Sequence, residues 1–278
     1  MIYITGDTHG EFGNVAHFCE QVQTEKSDIL IILGDAGINY YGGERDAEKK
    51  EYLEALSITI FAIHGNHEMR PQSILAYHEV EWNGGIVYVE DAYPHILFAK
   101  DGEVYDLDGK RTFVIGGAYS VDKAYRILCG YGWWPDEQPS EEIKRKIEEK
   151  LAELSWNVDV VLTHTAPLRY EPIEVFLPGI NQRMVDKSTE AWLGVIEGQL
   201  EYQKWYCGHY HTIKQVDRIE FMFDNFKEFT PNEDTSFWGD DDVCYECGGN
   251  GDDFYVDETG ELVCRCPECP FNEVDFDE

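Results

Sequence analysis

Ile29-Leu30-Ile31-Ile32-Leu33-Gly34-Asp35-Ala36-Gly37 is an unbroken apolar run that ends in a glycine and then a carboxylate. A run this short and this rich in β-branched residues suits a strand buried on both faces. Gly34 permits a tight turn, and Asp35 is delivered where the strand stops. Outward from this stretch the same order recurs. Gly6-Asp7-Thr8-His9-Gly10 follows an apolar start. His64-Gly65-Asn66-His67-Glu68 follows 58–63, Thr163-His164-Thr165-Ala166-Pro167 follows 159–163, and Cys207-Gly208-His209-Tyr210-His211 follows 204–207. In open α/β sheets, sites assemble at the carboxyl ends of strands.

Strands are expected at 3–5, 28–33, 58–63, 85–89, 96–99, 103–107, 111–115, 159–163 and 204–207, and 213–223 could continue a sheet. Helices are expected at 15–23, 46–56, 140–154 and 188–202, with Ser140 placed as an N-cap. Strands and helices in this order predict α/β layers. The chain has 278 residues, 43% of them hydrophobic, enough for one good-sized core and a small appendage. Its apolar runs are too short to span a bilayer. The start carries neither a basic stretch nor a long apolar one, so the expected location is cytoplasmic, with no membrane partner.

Net charge is −33, and it is unevenly spread. From Glu228 onward there are 17 acids and one base, Arg265. A field of that sign repels long nucleic acids and anionic membranes, and it also serves solubility. The composition divides the chain into a main domain at 1–223, an exposed acidic linker at 224–243 and a cysteine-rich module at 244–278.

The residue types at the turns suit borderline first-row metals. Imidazole and carboxylate ligands accommodate Mn, Fe, Zn, Ni or Co, and no thiolate in these turns demands a soft ion. Asp35 could bridge two ions, and a pair of ions can clamp an in-line phosphoryl displacement and activate water. A lone aspartate after a strand is ordinarily a turn former, and a lone histidine is ordinarily structural. The repetition across the chain is what argues for a site.

As a set, Gly6-Asp7-Thr8-His9, Gly34-Asp35, Gly65-Asn66-His67-Glu68, His164 and Gly208-His209-Tyr210-His211 resemble the calcineurin-like metallophosphoesterase superfamily, in its order and over about residues 1–215. The resemblance implies a two-sheet β-sandwich flanked by helices, with a dinuclear centre at one end of the sheets. It implies that Asp7, His9 and His211 hold one metal, that Asn66, His164 and His209 hold the other, and that Asp35 bridges them. A metal-bound hydroxide would attack phosphorus. His67 would stabilise the transition state or protonate the leaving group, and Glu68 would orient a neighbour. One departure is visible. Protein phosphatases of the superfamily carry an arginine shortly after the second motif, whereas here Asp35 is followed by Ala36-Gly37-Ile38-Asn39-Tyr40. That weakens a phosphoprotein-phosphatase reading.

Lys123 and Arg126, after Gly116-Gly117-Ala118-Tyr119-Ser120, could clamp a phosphate or form surface ion pairs. Trp133-Trp134-Pro135 suits a packing corner or an aromatic rim. In the module, Cys244 with Cys247 and Cys266 with Cys269 have the spacing of a zinc ribbon around a hairpin, with Cys264 as a spare or substitute ligand. One structural zinc is therefore expected, with a protein partner as a further role for the module. The expected function is two-metal hydrolysis of a small phosphate ester or phosphopeptide, as phosphatase or phosphodiesterase. A nuclease is the first rival, although nucleic acid suits the charge poorly. A non-catalytic protein-binding scaffold is the second.

Overall fold

The computed structural model describes residues 1–231 and the backbone of 254–256 and 262–264. By its contacts the chain divides into two units, Met1–Asn232 and Glu233–Glu278. The first contains two sheets. One takes the order β13 (Lys227–Glu228), β1 (Ile2–Thr5), β2 (Ile29–Ile32), β3 (Thr59–Ala62), β6 (Tyr93–Ala99), β5 (Gly85–Glu90) and β4 (Tyr77–Trp82). The other takes the order β11 (Lys214–Val216), β12 (Ile219–Phe221), β10 (Lys204–Cys207), β9 (Val160–Thr163), β8 (Lys110–Ile115) and β7 (Val104–Leu107). The strands from β1 to β6 are parallel in the first sheet, and those from β12 to β8 are parallel in the second. Antiparallel strands close the edges.

Alternation along each strand explains the layers. Ile31, Leu33 and Phe61 of the first sheet share one apolar cluster with Val114, Leu162 and Tyr206 of the second. Leu30, Ile32 and Ile60 face the other way, with Val15 and Phe18 of α1 (Gly13–Val22) and Leu53 of α2 (Glu44–Ala55). Phe113, Val161 and Trp205 pack outward with Ile147 and Leu151 of α4 (Glu141–Glu153) and Leu193 and Ile196 of α5 (Ser188–Glu197). The result is a sandwich of two sheets between helices, so the expected class holds for this unit.

Ser140 caps α4 as expected, its hydroxyl accepting from the Ile143 amide at 3.3 Å. Neither β4 nor α3 (Lys123–Cys129) was foreseen. β4 reads Tyr-His-Glu-Val-Glu-Trp, is mostly solvated and offers no apolar run. α3 has only seven residues and stops at Gly130, which is left-handed with φ 70°. The segment after 223 is not linker from its first residues: Lys227 and Glu228 pair with β1, and Phe229 is buried in the inter-sheet core. The expected hairpin around 257–260 has paired strands, β14 (Phe254–Val256) and β15 (Leu262–Cys264), with Phe254 opposite Cys264. Cys244, Cys247, Cys266 and Cys269 lie outside the described residues. No helix among the described residues is long and apolar enough to cross a membrane.

Leu162 is fully buried between the sheets. Leu162→Ala is expected to cost about 2–5 kcal/mol through lost burial and the cavity left behind. The check is a lower denaturant midpoint at unchanged m-value.

Candidate metal centre

The parallel strands of both sheets deliver their following turns to one place. Asp7 and His9 come after β1, Asp35 after β2, Asn66 and His67 after β3, His164 after β9, and His209 and His211 after β10. His9, Asp35, His209 and His211 all have positive φ, between 46° and 68°. Non-glycine residues seldom adopt that conformation, and it persists where the surroundings over-determine it.

Ligand-type atoms of Asp7, His9 and His211 lie within 4.8 Å of one another, as do those of Asp7, Asp35 and His164. The Nε2 atoms of His9 and His211 are 2.9 Å apart. Asp7 Oδ2 is buried without a hydrogen-bond partner, 3.4 Å from His211 Nε2 and 3.8 Å from His9 Nε2. An orphaned buried carboxylate oxygen facing two ring nitrogens is a poor arrangement for protein alone and a good one for a cation. The donor set therefore fits a borderline divalent metal.

Around the second group, the His164 Nδ1–H donates to the Leu33 carbonyl at 2.7 Å, so Nε2 is the nitrogen turned to the site. That Nε2 sits 2.8 Å from Asn66 Oδ1 and 3.6 Å from Asp35 Oδ1. Burial works to lower the His164 pKa, but Asp35 and Asp7 outweigh it and hold it up to about 9. Burial likewise works to raise the Asp35 carboxyl, yet His164, His67 and His9 hold it well below the usual carboxylate range. His209 is pushed down to about 3, by desolvation first and by His164 second. Its ring lies edge-on to His164 at 5.0 Å and falls outside the groups whose ligand atoms lie within 4.8 Å.

The same residues also tie the turns together. Asp7 Oδ1 accepts from the His209 amide at 2.9 Å, and Asp35 Oδ1 accepts from the His67 amide at 2.7 Å. Two glycines make this possible by close approach. A Cβ on Gly208 would stand 2.3 Å from Asp7 Oδ1, and one on Gly65 would stand 2.0 Å from Asp35 Oδ1. Glu68 accepts from the Gly65 amide at 3.0 Å. Burial, then Asp35, pushes its carboxyl up to about 8, so at neutral pH it is largely protonated.

Ser120 was not singled out from the sequence, yet it sets the face of Asn66. Asn66 Nδ2 donates to Ser120 Oγ at 3.0 Å, which leaves Oδ1 for the site. Ser120 in turn donates to Glu137 Oε2 at 2.6 Å and accepts from Arg126 at 2.9 Å. Arg126 is 2% exposed and also reaches the Asn66 carbonyl at 3.4 Å, so it braces the centre from behind. Lys123 lies over the Trp133 ring at 4.1 Å. Neither cation lines the cavity beside the centre, and Arg126 Nη1 lies 3.9 Å from Asp122 Oδ1, the ion-pair alternative. Trp133 donates to Glu137 at 2.8 Å and Trp134 packs on Tyr40, the packing-corner alternative.

The His67 ring lines the cavity, with Nε2 3.8 Å from Asp122 Oδ1. Its pKa is lowered chiefly by desolvation, with Asp35 and Asp122 acting the other way. Its ring nitrogen also lies within 4.8 Å of ligand atoms of His9 and Asp35. Asp122 and Ser120 carried no sequence signal beyond their place after β8.

The sequence profile described as calcineurin-like phosphoesterase matches residues 1–213. No curated protein matches the chain. Among solved structures, the chain is similar to the crystal structure of phosphopantetheinyl hydrolase from Mycobacterium tuberculosis, at 14% identity over 80% of this chain and 87% of that one, with a TM-score of 0.36. So loose a superposition carries no argument about substrate. The ligand-bearing turns in their order and the profile over most of the chain agree, and the chain belongs to the calcineurin-like phosphoesterase family.

Proposed function

We propose that this metal-dependent phosphoesterase hydrolyses small phosphate mono- or diesters at a centre of two ions. Asp7, His9 and His211 would hold one ion, Asn66, His164 and His209 the other, with Asp35 shared. The observation that carries the reading is the buried pair Asp7 and Asp35, ringed by histidine nitrogens, with Asp7 Oδ2 left without a partner. Bound divalent ions supply Lewis acidity, neutralising phosphate charge and making water a nucleophile at neutral pH.

The chain's own groups do the rest. His164 is fixed through Nδ1 by the Leu33 carbonyl, and Asn66 is fixed through Nδ2 by Ser120, so both present one defined atom. His67, on the cavity wall, is placed to give a proton to the departing oxygen. Asp122, 3.8 Å from its Nε2, works against the desolvation that favours the neutral ring. No lysine or arginine lines the cavity among the described residues, which favours a compact ester over a long polyanion. The scaffold alternative expects lost ligand residues, whereas every residue type of the motif set is present in this sequence. A structural zinc in the cysteine module, serving stability or partner docking, belongs to the same proposal.

Asp35→Asn is expected to lower bound metal, counted by elemental analysis, and to abolish turnover with added Mn²⁺. Full activity in a metal-free Asp35→Asn protein would sink the reading.

His67→Ala should keep its metal and lose about 10²–10⁴-fold in turnover of alkyl esters, with a smaller loss for aryl esters whose leaving group needs no proton. Collapse of metal content in this variant would make His67 a ligand instead.

Small aryl esters and short nucleotides should be turned over, while long single and double strands bind weakly. Tight strand binding that falls steeply with salt, together with processive cleavage, would establish the nuclease.

A further inference from the structure

Beside the centre lies a cavity of about 390 Å³. Its lining includes His9, His67, His209 and His211, so it adjoins the histidine-rich centre. Its lining is mostly apolar and aromatic, with Tyr119, Val121, Phe176, Leu177, Ile180 and Val185 beside a few polar side chains. Most of these come from the irregular segment between β9 and α5, which the sequence analysis left without a role. Catalysis at the metals has no need of an apolar chamber, whereas the organic part of an ester does.

One charged side chain in this wall has no assigned duty. Glu190, near the start of α5, is 3% exposed and lines the cavity. Its Oε1 accepts from the Thr165 hydroxyl at 2.8 Å, and Thr165 lies 3.0 Å from the Tyr210 hydroxyl. Its Oε2 is buried and has no hydrogen-bond partner. The neighbouring acid Glu171, also on the wall, is already paired with Lys187 at 2.7 Å. A buried carboxyl oxygen left without a hydrogen bond is costly unless a partner completes it.

We propose that this cavity is the alcohol-binding subsite, and that Glu190 selects phosphate esters whose apolar organic moiety carries a hydroxyl-type hydrogen-bonding group. The inference rests on the reading of the histidine-rich centre as the phosphate site. An apolar chain from the phosphate would run along the Phe176 and Ile180 wall and bring its polar group against the Glu190 carboxyl. Burial pushes the Glu190 carboxyl up to about 7, so both of its protonation states are populated near neutrality. A hydroxyl can donate to the ionised form and accept from the protonated one, and therefore satisfies both. The histidine-rich centre and the Glu190 wall thus read the two ends of one small molecule.

The test is titration calorimetry of the metal-loaded full chain with hydroxyhexylphosphonate and heptylphosphonate, which differ only in a terminal hydroxyl or methyl. Inorganic phosphate serves as the reference. The hydroxyl arm is expected to bind on the order of 10-fold to 100-fold more tightly than the methyl arm. Glu190→Leu should erase that preference, and Glu190→Gln, which keeps shape and polarity, should retain most of it. Ile180→Trp, which fills the cavity from a different wall, should weaken both phosphonates towards inorganic phosphate, and it serves as the test if Glu190→Leu does not fold. Phosphate binding with no difference between the two arms would overturn this inference alone, as would a preference that survives Glu190→Leu or arms unaffected by Ile180→Trp. Failure of phosphate and both phosphonates to bind would remove the proposed function and this inference together.

Discussion

Two acids kept nearly dry, Asp7 and Asp35, are the constraint on which the rest of this unit turns. Burying a carboxylate is expensive unless donors and cations compensate for the lost water. Here the donors are backbone amides of the other ligand turns: His209 on Asp7 and His67 on Asp35. Each acid therefore both faces the centre and fixes the turn that carries the next ligand. One of these bonds crosses between the sheets, joining the turn after β1 to the turn after β10. The packing of the sandwich and the geometry of the site are one problem.

This coupling explains how much could be read beforehand. Fully buried parallel strands are short apolar runs, and such a run ending in glycine and then a ligand is visible without a structure. The sheets and the residues gathered at their carboxyl edge were legible for that reason. What escaped lacks such a run. β4 is solvated on both faces, and β13 is two residues whose pairing depends on a distant edge. The left-handed backbone at His9, Asp35, His209 and His211 is set by close approach between turns far apart in sequence. The glycines of the motifs read as turn formers, whereas Gly65 and Gly208 are also needed because a carboxylate from another turn occupies the space of their Cβ.

Arg126 shows the limit of reading a cation by type. From the sequence, an arginine near a ligand-bearing edge is a candidate phosphate clamp. In the fold it is buried against Ser120 and the Asn66 carbonyl, with Tyr40 and Trp134 near its guanidinium. Its charge acts on the centre through position, by holding the residues that orient the Asn66 amide. Ser120, which carries no sequence signal, does the orienting, because its hydroxyl accepts from both Asn66 and Arg126 while donating to Glu137.

The distribution of charge bears on what such a site can recognise. The chain carries a net charge of −33, and no lysine or arginine lines the cavity among the described residues. In the proposed reading, attraction for a phosphate comes from the centre itself, and among esters of equal charge it differs little. Discrimination between esters has to arise where their structures differ, along the alcohol. Binding energy gathered there, from apolar walls and a polar group to complete Glu190, is available to hold the phosphorus in line with its nucleophile. A wall without cations gains little from a substrate's additional phosphates and much from its carbon skeleton. On this physical ground the proposed subsite would read the group that leaves more closely than the phosphate under attack.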